Sequence, residues 1–434
     1  MTISITVIIV LFVMILMGLP VYISLGLSAL IGIIAAEGIQ GIITLPAVMY
    51  GQIDSYVLLA IPLYVLMGEV VALSVLASGI YDCLGKWLGK IPGGLSIATI
   101  FACCAFGAVS GSTVAGVAAF SPIAVPEMSK RGYDKYLAIG SITAAGSLAV
   151  LIPPSLAFII YGSISLTPIS KLFIAGIIPG IFLAIAMVIF VTGRAIVKKY
   201  KDNLHYQDEV TIGWKEKIKS IPPVIPAIVL AIFIFISLYY GICTPTELGA
   251  LAAAGAVIFA LVIDKNFGFK ALYAAISGAA RSTVTIGVII ASASCFGVFL
   301  NIMRVPEQFS MFCLSLPIPS IGVIFLFMML LIILGCFMDC ISLIVITTPI
   351  LLPVVLAMGY DPIWYGVLLV VTYEISAITP PVGMNLYMMK SVIPELKIED
   401  IALAAFPFVL VELICLVIFA LYPVLSLWLP SRIG

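Results

Sequence analysis

Apolar residues run along the chain in long blocks, at about 5–36, 56–76, 94–128, 136–166, 172–193, 222–241, 248–263, 284–303, 320–357, 363–393 and 401–429. Roughly 20 apolar residues suffice for a helix to cross the hydrocarbon of a bilayer, so the pattern predicts an all-α polytopic membrane protein. Some blocks are too long for one crossing. Block 5–36 has Pro20 at its middle and predicts either one long tilted helix or a span followed by a second element. Blocks 94–128 and 320–357 each hold a small or polar turn between limbs too short to be separate spans, which predicts two re-entrant hairpins. Blocks 136–166 and 363–393 contain Pro153-Pro154 and Pro380-Pro381, which remove two backbone donors each and predict two broken helices.

Composition supports lipid as the solvent. Of 434 residues 63% are hydrophobic and 9% charged, with a mean hydropathy of +1.31. A soluble domain carries about a quarter charged residues. Twenty basic residues balance twenty acidic ones, which argues against nucleic-acid binding. The nine cysteines are scattered and His205 is the one histidine, so no disulfide framework or zinc site is expected. No basic residue precedes Lys86, so the first block is expected to be a retained membrane segment and not a cleaved signal.

A shift of 227 residues lays Pro92 on Pro319, Pro122 on Pro349, Pro126 on Pro353 and Pro153-Pro154 on Pro380-Pro381, and also Gly132-Tyr133-Asp134 on Gly359-Tyr360-Asp361. One ungapped register across so many prolines indicates an internal duplication. The stretch Arg194 to Lys219, with seven of the twenty basic residues, is expected to be a cytoplasmic loop between the halves. If both hairpins re-enter, 17 basic residues face the cytoplasm and only Lys171, Arg304 and Arg432 lie outside, as the positive-inside rule demands. The two Gly-Tyr-Asp turns then lie on opposite sides, and the repeats are inverted.

Free carbonyls and amides at helix breaks, with Ser, Thr and Asp oxygens beside them, suit Na⁺, while half-helix N-termini suit an anion. Candidate positions are the hairpin tips Gly107 to Thr113 and Gly335 to Asp339, together with the breaks Ile152 to Ser155 and Thr379 to Gly383. Among acids within apolar blocks, Asp339 and Glu374 adjoin these motifs and are expected to be functional; Glu69 and Glu412 do not, and read as helix-end or interfacial acids. Gly107 to Gly111 is a poor match to an intramembrane serine protease, having no base beside Ser110. The chain has no Gly-x-x-x-x-Gly-Lys-Ser/Thr loop for ATP, so secondary transport is the expected activity.

Several long motifs stand in order along essentially the full length: Gly107 to Thr113, Pro126-Glu127-Met128, Lys130 to Asp134, Leu151 to Ser155, Tyr161-Gly162, Phe337-Met338-Asp339, Thr348 to Pro353 and Thr379 to Gly383 with Asn385-Leu386. By these residues the chain resembles the large membrane subunit of tripartite ATP-independent periplasmic (TRAP) transporters, the DctM family of the ion transporter superfamily. It implies an elevator transporter of the bacterial inner membrane, driven by Na⁺ and not ATP. The transporter would take up an organic acid delivered by a periplasmic substrate-binding protein, with a small four-helix membrane subunit completing the complex.

By the same resemblance, one Na⁺ site lies between Ser110-Gly111-Ser112-Thr113 and the helix break after Thr143 to Gly146, and a second between Gly335 to Asp339 and Thr379 to Gly383. Pro154, Ser155, Thr372, Glu374, Pro381 and Asn385 are the expected substrate contacts. Thr372 and Ser376 stand where many relatives have Asn and Gly, and Ala149 where Gly is common. The implied organisation is scaffold helices in 1–76 and a first repeat in 77–193 comprising an arm, hairpin, broken helix and scaffold span. The cytoplasmic loop 194–219 and scaffold helices in 220–303 then precede a second repeat in 304–434. A stand-alone Na⁺/carboxylate symporter needing no binding protein is the alternative.

Overall fold

The computed structural model describes residues 2–202 and 213–432; His205 lies outside the described residues. It is built of α1 (Thr2–Leu16), α2 (Val21–Glu37), α3 (Leu45–Ile53), α4 (Ala60–Leu73), α5 (Leu76–Leu88), α6 (Gly94–Ser110), α7 (Thr113–Lys130), α8 (Lys135–Leu151), α9 (Leu156–Ser165), α10 (Ile169–Asp202) and α11 (Trp214–Lys219). These are followed by α12 (Ile225–Tyr239), α13 (Pro245–Ile263), α14 (Phe269–Ile302), α15 (Val305–Ser315), α16 (Ser320–Gly335), α17 (Cys340–Ala357), α18 (Pro362–Ala377), α19 (Met384–Val392), α20 (Ile398–Leu421) and α21 (Val424–Leu427). No strand occurs among the described residues. Large apolar side chains such as Ile189, Val262, Val284 and Leu403 are exposed, while Ser141, Thr143, Glu374 and Glu412 are buried. Apolar outside and polar groups within is the arrangement lipid favours.

The internal duplication extends to the helix bounds. Moved back by 227 residues, α17 covers the same positions as α7. Gly132 and Gly359 both take left-handed backbone, at φ +76° and +80°. Asp134 and Asp361 each cap the following helix, accepting from the amides of Leu137 and Ile363.

Two contacts fix the relative direction of the repeats. The Lys135 Nζ at the start of α8 lies 2.8 Å from Asp400 at the start of α20. At the other end of the path α8–α9, the Tyr161 hydroxyl donates to the Pro362 carbonyl at the start of α18, at 2.7 Å. Thus α8–α9 runs away from the Lys135 face and α18–α19 runs back towards it, which makes the repeats inverted.

Both hairpins turn back midway. The Tyr133 hydroxyl, just past α7, accepts from the Leu95 amide at the start of α6, so the two limbs begin and end on one face. At the tip, a side chain on Gly111 would meet the Pro154 carbonyl oxygen at 3.1 Å, which puts the tip against the α8–α9 break. In the second repeat the Gly383 amide donates to the Cys336 carbonyl at 3.3 Å, putting that tip against the α18–α19 break. Helix α17 is long and apolar enough to cross a bilayer, yet its first turn sits at this break, halfway along the neighbouring path.

Around the hairpins stand α1–α4, α13 and α14, with α14 packed on α2, α3 and α4, and α13 on α4. Block 5–36 proves to be two helices, split at Met17 to Pro20 with Gly18 at φ +84°. Helix α14 starts at Phe269 and not near 284, because Lys270, Arg281 and several hydroxyl residues dilute its hydropathy without interrupting the helix. The short helix α3 has no counterpart in the apolar blocks. The stretch expected to be a loop from Arg194 continues α10 as helix to Asp202, and Trp214 to Lys219 form α11. Arg194 and Lys198 hold α10 to the start of α8 by pairing with Asp134, so basic residues there extend a helix as well as mark a face.

Candidate transport site

Each tip is a helix start with a side-chain cap. Ser112 begins α7 and its hydroxyl accepts from the Ala115 amide at 3.4 Å, a long bond. Asp339 begins α17 and is far better satisfied. Its Oδ2 accepts from the amides of Ile341 and Ser342 at 3.0 and 3.1 Å, and its Oδ1 from the Ser342 hydroxyl. Ser155 likewise caps α9 through the Phe158 amide at 3.4 Å.

The first tip and the first break enclose a set of oxygens. Gly111 adopts φ +60° and lies against Pro154, so this turn has neither the backbone region nor the space for a side chain. Gly146 lies within α8, which continues unbroken to Leu151. A methyl placed on it would come to 3.0 Å from the Thr113 carbonyl oxygen and 3.4 Å from Asn385 Nδ2. That same Nδ2 donates to the Thr143 carbonyl at 3.3 Å, while the buried Asn385 Oδ1 has no partner. Thr113, Thr143, Gly146 and Asn385 therefore converge, the last from the opposite repeat. The Thr143 hydroxyl bonds back to Ile139 of its own helix.

The second tip and break converge more loosely. Gly335 abuts Ser376, whose hydroxyl would lie 2.2 Å from a methyl on Gly335. The Thr379 hydroxyl donates to the Ile375 carbonyl at 2.6 Å, and Gly383 reaches Cys336 as described. Pro380 and Pro381 are exposed, whereas Pro154 and Ser155 are buried.

Not all expected contacts reach a common space. Thr372 is buried and its hydroxyl donates to the Leu368 carbonyl at 2.7 Å, beside Met328. Glu374 is fully buried, and neither residue lines any of the cavities described below.

A cavity of about 440 Å³ lies between the first tip and the scaffold, lined by Ser110, Ser112 and Ala115, by Ile341 beside the second tip, by Leu156 at the start of α9, and by Glu69, Arg281, Ser282 and Thr285. The buried Ser110 hydroxyl has no partner. Arg281 has no ion-pair partner among the described residues. A cation, hydroxyls and the N-terminal end of α9 around one cavity suit an anion. Glu69 is correspondingly not just a helix-end acid. It faces this cavity and packs on α14, where a methyl on Gly278 would meet its carboxyl at 3.0 Å. In the sequence Arg281 is one of the 17 basic residues of the cytoplasmic face, and its place three turns inside a helix rich in Ser and Thr is the signal for a role in the cavity. A second cavity, of about 470 Å³, lies against α17 and is lined by Gln52, Ser163, Asn301 and Thr348, and a third of about 280 Å³ is wholly apolar.

Residues 8–425 match the family described as the DctM component of the tripartite ATP-independent periplasmic transporters. The chain is 33% identical over 414 residues to an isethionate TRAP transporter permease protein, DctMQ, of Oleidesulfovibrio alaskensis, covering 95% of this chain and 64% of that longer one. It is 31% identical to the C4-dicarboxylate TRAP transporter large permease protein DctM of Vibrio cholerae, covering 96% of this chain and 95% of that one. With the 2,3-diketo-L-gulonate TRAP transporter large permease protein YiaN of Escherichia coli it shares 36% identity over 85% of each chain. Its fold is similar to that of the YdaH transporter of Alcanivorax borkumensis, with a TM-score of 0.60 at 16% identity over 89% of each chain.

Proposed function

The chain belongs to the DctM family of TRAP transporter membrane subunits, and from that premise we propose that it carries a small organic acid across the inner membrane in symport with Na⁺, by an elevator motion of its hairpins and broken helices against the scaffold. It is a transport protein of the inner membrane and not an enzyme. The acid is delivered by a periplasmic binding protein, and a small membrane subunit completes the assembly. The Oleidesulfovibrio relative, DctMQ, joins M and Q in its name, which supports such a partner.

The observation that carries the reading is the cavity between the first tip and the scaffold, with its unpaired Arg281, the free Ser110 hydroxyl and the start of α9. A carboxylate there gains a charge-assisted hydrogen bond from the guanidinium, and amides at the helix start favour its charge. Na⁺ is held where tip meets break. The first site draws on Ser110 to Thr113, the Thr143 carbonyl, Gly146 and the free Asn385 Oδ1; the second draws on Gly335, Asp339, Thr379 and Gly383. Pro154, Ser155 and Pro381 shape the breaks, and Asn385 ties the second repeat to the first. In this reading the hairpins and broken helices of 77–193 and 304–434 supply the moving body, joined by their arms to a frame made of 1–76, 220–303 and the scaffold span that closes the first repeat. C4-dicarboxylates and sugar-derived keto acids, the substrates in the relatives' names, are the chemical class to test first.

Vesicles holding the chain with its small subunit and binding protein should accumulate acid under an inward Na⁺ gradient and lose that accumulation when K⁺ replaces Na⁺. Equal uptake in K⁺ would overturn the Na⁺ reading. Arg281→Gln should raise the KM for the acid without changing the Na⁺ requirement.

A further inference from the structure

Glu412 was expected at a helix end or interface, but it lies in the middle of α20 and is fully buried. Its Oε1 accepts from the Ser147 hydroxyl of α8 at 2.9 Å, and its Oε2 has no partner. Across from it on α18, Glu374 is also fully buried, and both of its carboxyl oxygens lack partners. The three helices α8, α18 and α20 pack pairwise, so the two buried carboxyls share one interior.

Among the described residues no counter-charge pairs with either carboxyl. The titratable groups near the pair are Cys104 of α6, Cys340 of α17 with Asp339 next to it at the second tip, and Cys415 of α20, while α8 adds Tyr136 in its first turn. The Leu151 amide lies near Glu374 without closing a hydrogen bond. Of the other helices packed on α18 and α20, α9 brings Tyr161 and α18 itself Tyr365 and Tyr373, while α16 and α21 bring no titratable group. The cations sit at helix ends and most have other partners. Lys135 pairs with Asp400, Arg194 and Lys198 with Asp134, and Lys390 with the carbonyls of Pro394 and Leu396. Lys171 and Lys397 lie at the first turns of α10 and α20, where Glu399 is also found, and Tyr387 is exposed on α19.

Two carboxylates cannot both stay ionised in such a place without a cation between them, because desolvation and like charge act in the same direction. A proton is the cation that needs no coordination shell, and Glu374 with Glu412 supplies only three free oxygens. We propose that Glu374 and Glu412 form a reversible proton-binding site inside the moving body, oriented by Ser147 and made of oxygens other than those of the two tips. Its existence does not depend on which acid is carried or on Na⁺ coupling.

Infrared spectra of the purified full-length chain in H2O and D2O test this without a transport assay. The expected result, near neutral pH and without Na⁺, is a protonated-carboxyl band that shrinks reversibly as pH is raised while the chain stays folded. Glu374→Gln and Glu412→Gln should each diminish it, Ser147→Ala should shift its frequency, and Glu69→Gln should leave it in place. If the Gln variants do not fold, the frequency shift on Ser147→Ala in ¹³C-glutamate-labelled chain assigns the band to the carboxyl that Ser147 binds, and no shift would overturn the proposal. Absence of the band, indifference to both Gln variants, or a band that stays full at every pH tolerated by the fold would overturn the proposal. Loss of the band on adding Na⁺ at constant pH would also overturn it and make the pair a Na⁺ site.

Discussion

The first hairpin tip and the second occupy equivalent places in an inverted duplication, yet they are finished differently. In both, the first limb presses a glycine onto a small residue of the neighbouring broken helix: Gly107 on Ala149, and Gly335 on Ser376, with Ala149 and Ser376 themselves 227 residues apart. The chemistry at the turn is not duplicated. The first tip leaves the Ser110 hydroxyl unpartnered and facing a cavity, whereas the second commits both oxygens of Asp339 to the start of α17. The first break buries Pro154 and Ser155, whereas the second exposes both prolines. Backbone geometry has thus been kept through the duplication while the side chains at the turns have diverged, and the two proposed ion sites are not expected to be equal in strength.

The opposed orientation of the two repeats has an all-or-none test. Single cysteines near Lys130 and Lys217 should react only from the cytoplasmic side, and one near Gly359 only from the other. Labelling of the Lys130 and Gly359 positions from one side would sink the inverted arrangement.

The paired glycine contacts should differ in tolerance. A methyl on Gly107 would stand 2.2 Å from the Ala149 Cα, which is backbone, while one on Gly335 meets the Ser376 hydroxyl, which a substitution can remove. Gly107→Ala should cost roughly 1–3 kcal/mol, read as a lower unfolding temperature in detergent. Gly335→Ala should be restored by Ser376→Gly, and failure of that rescue would show that more than this contact is at stake.

Smaller effects are expected at the caps. Asp339→Asn should raise the Na⁺ concentration for half-maximal uptake several-fold if its charge serves the ion. If Asp339 only caps α17, Asn serves about as well, and an unchanged Na⁺ curve would assign it that role. Ser112→Ala gives up one long hydrogen bond, worth about 0.5 kcal/mol, the low end for a cap. A change in unfolding temperature as large as that of Gly107→Ala would contradict this.

Hairpins, helix breaks and the 227-residue register were legible in the residues because they depend on local properties. Proline cannot donate, glycine alone suits the left-handed turn at Gly111, and an apolar run has a length that either matches a bilayer or does not. The cavity position of Arg281, the burial of Glu412 and the length of α14 were not legible, for the opposite reason. A charged or hydroxylated residue looks the same in sequence whether it ends a helix or points into a cavity. Which it does is decided by helices far away in the chain: Ser147 lies 265 residues from the Glu412 it binds, and Asn385 lies 242 residues from the Thr143 carbonyl. The sequence by itself therefore determined the class of fold and its repeat, through constraints that act within a turn or a span. Only the tertiary structure decided which polar groups are paired, which are left free, and which share a cavity, because their free energy depends on neighbours that packing alone brings within reach.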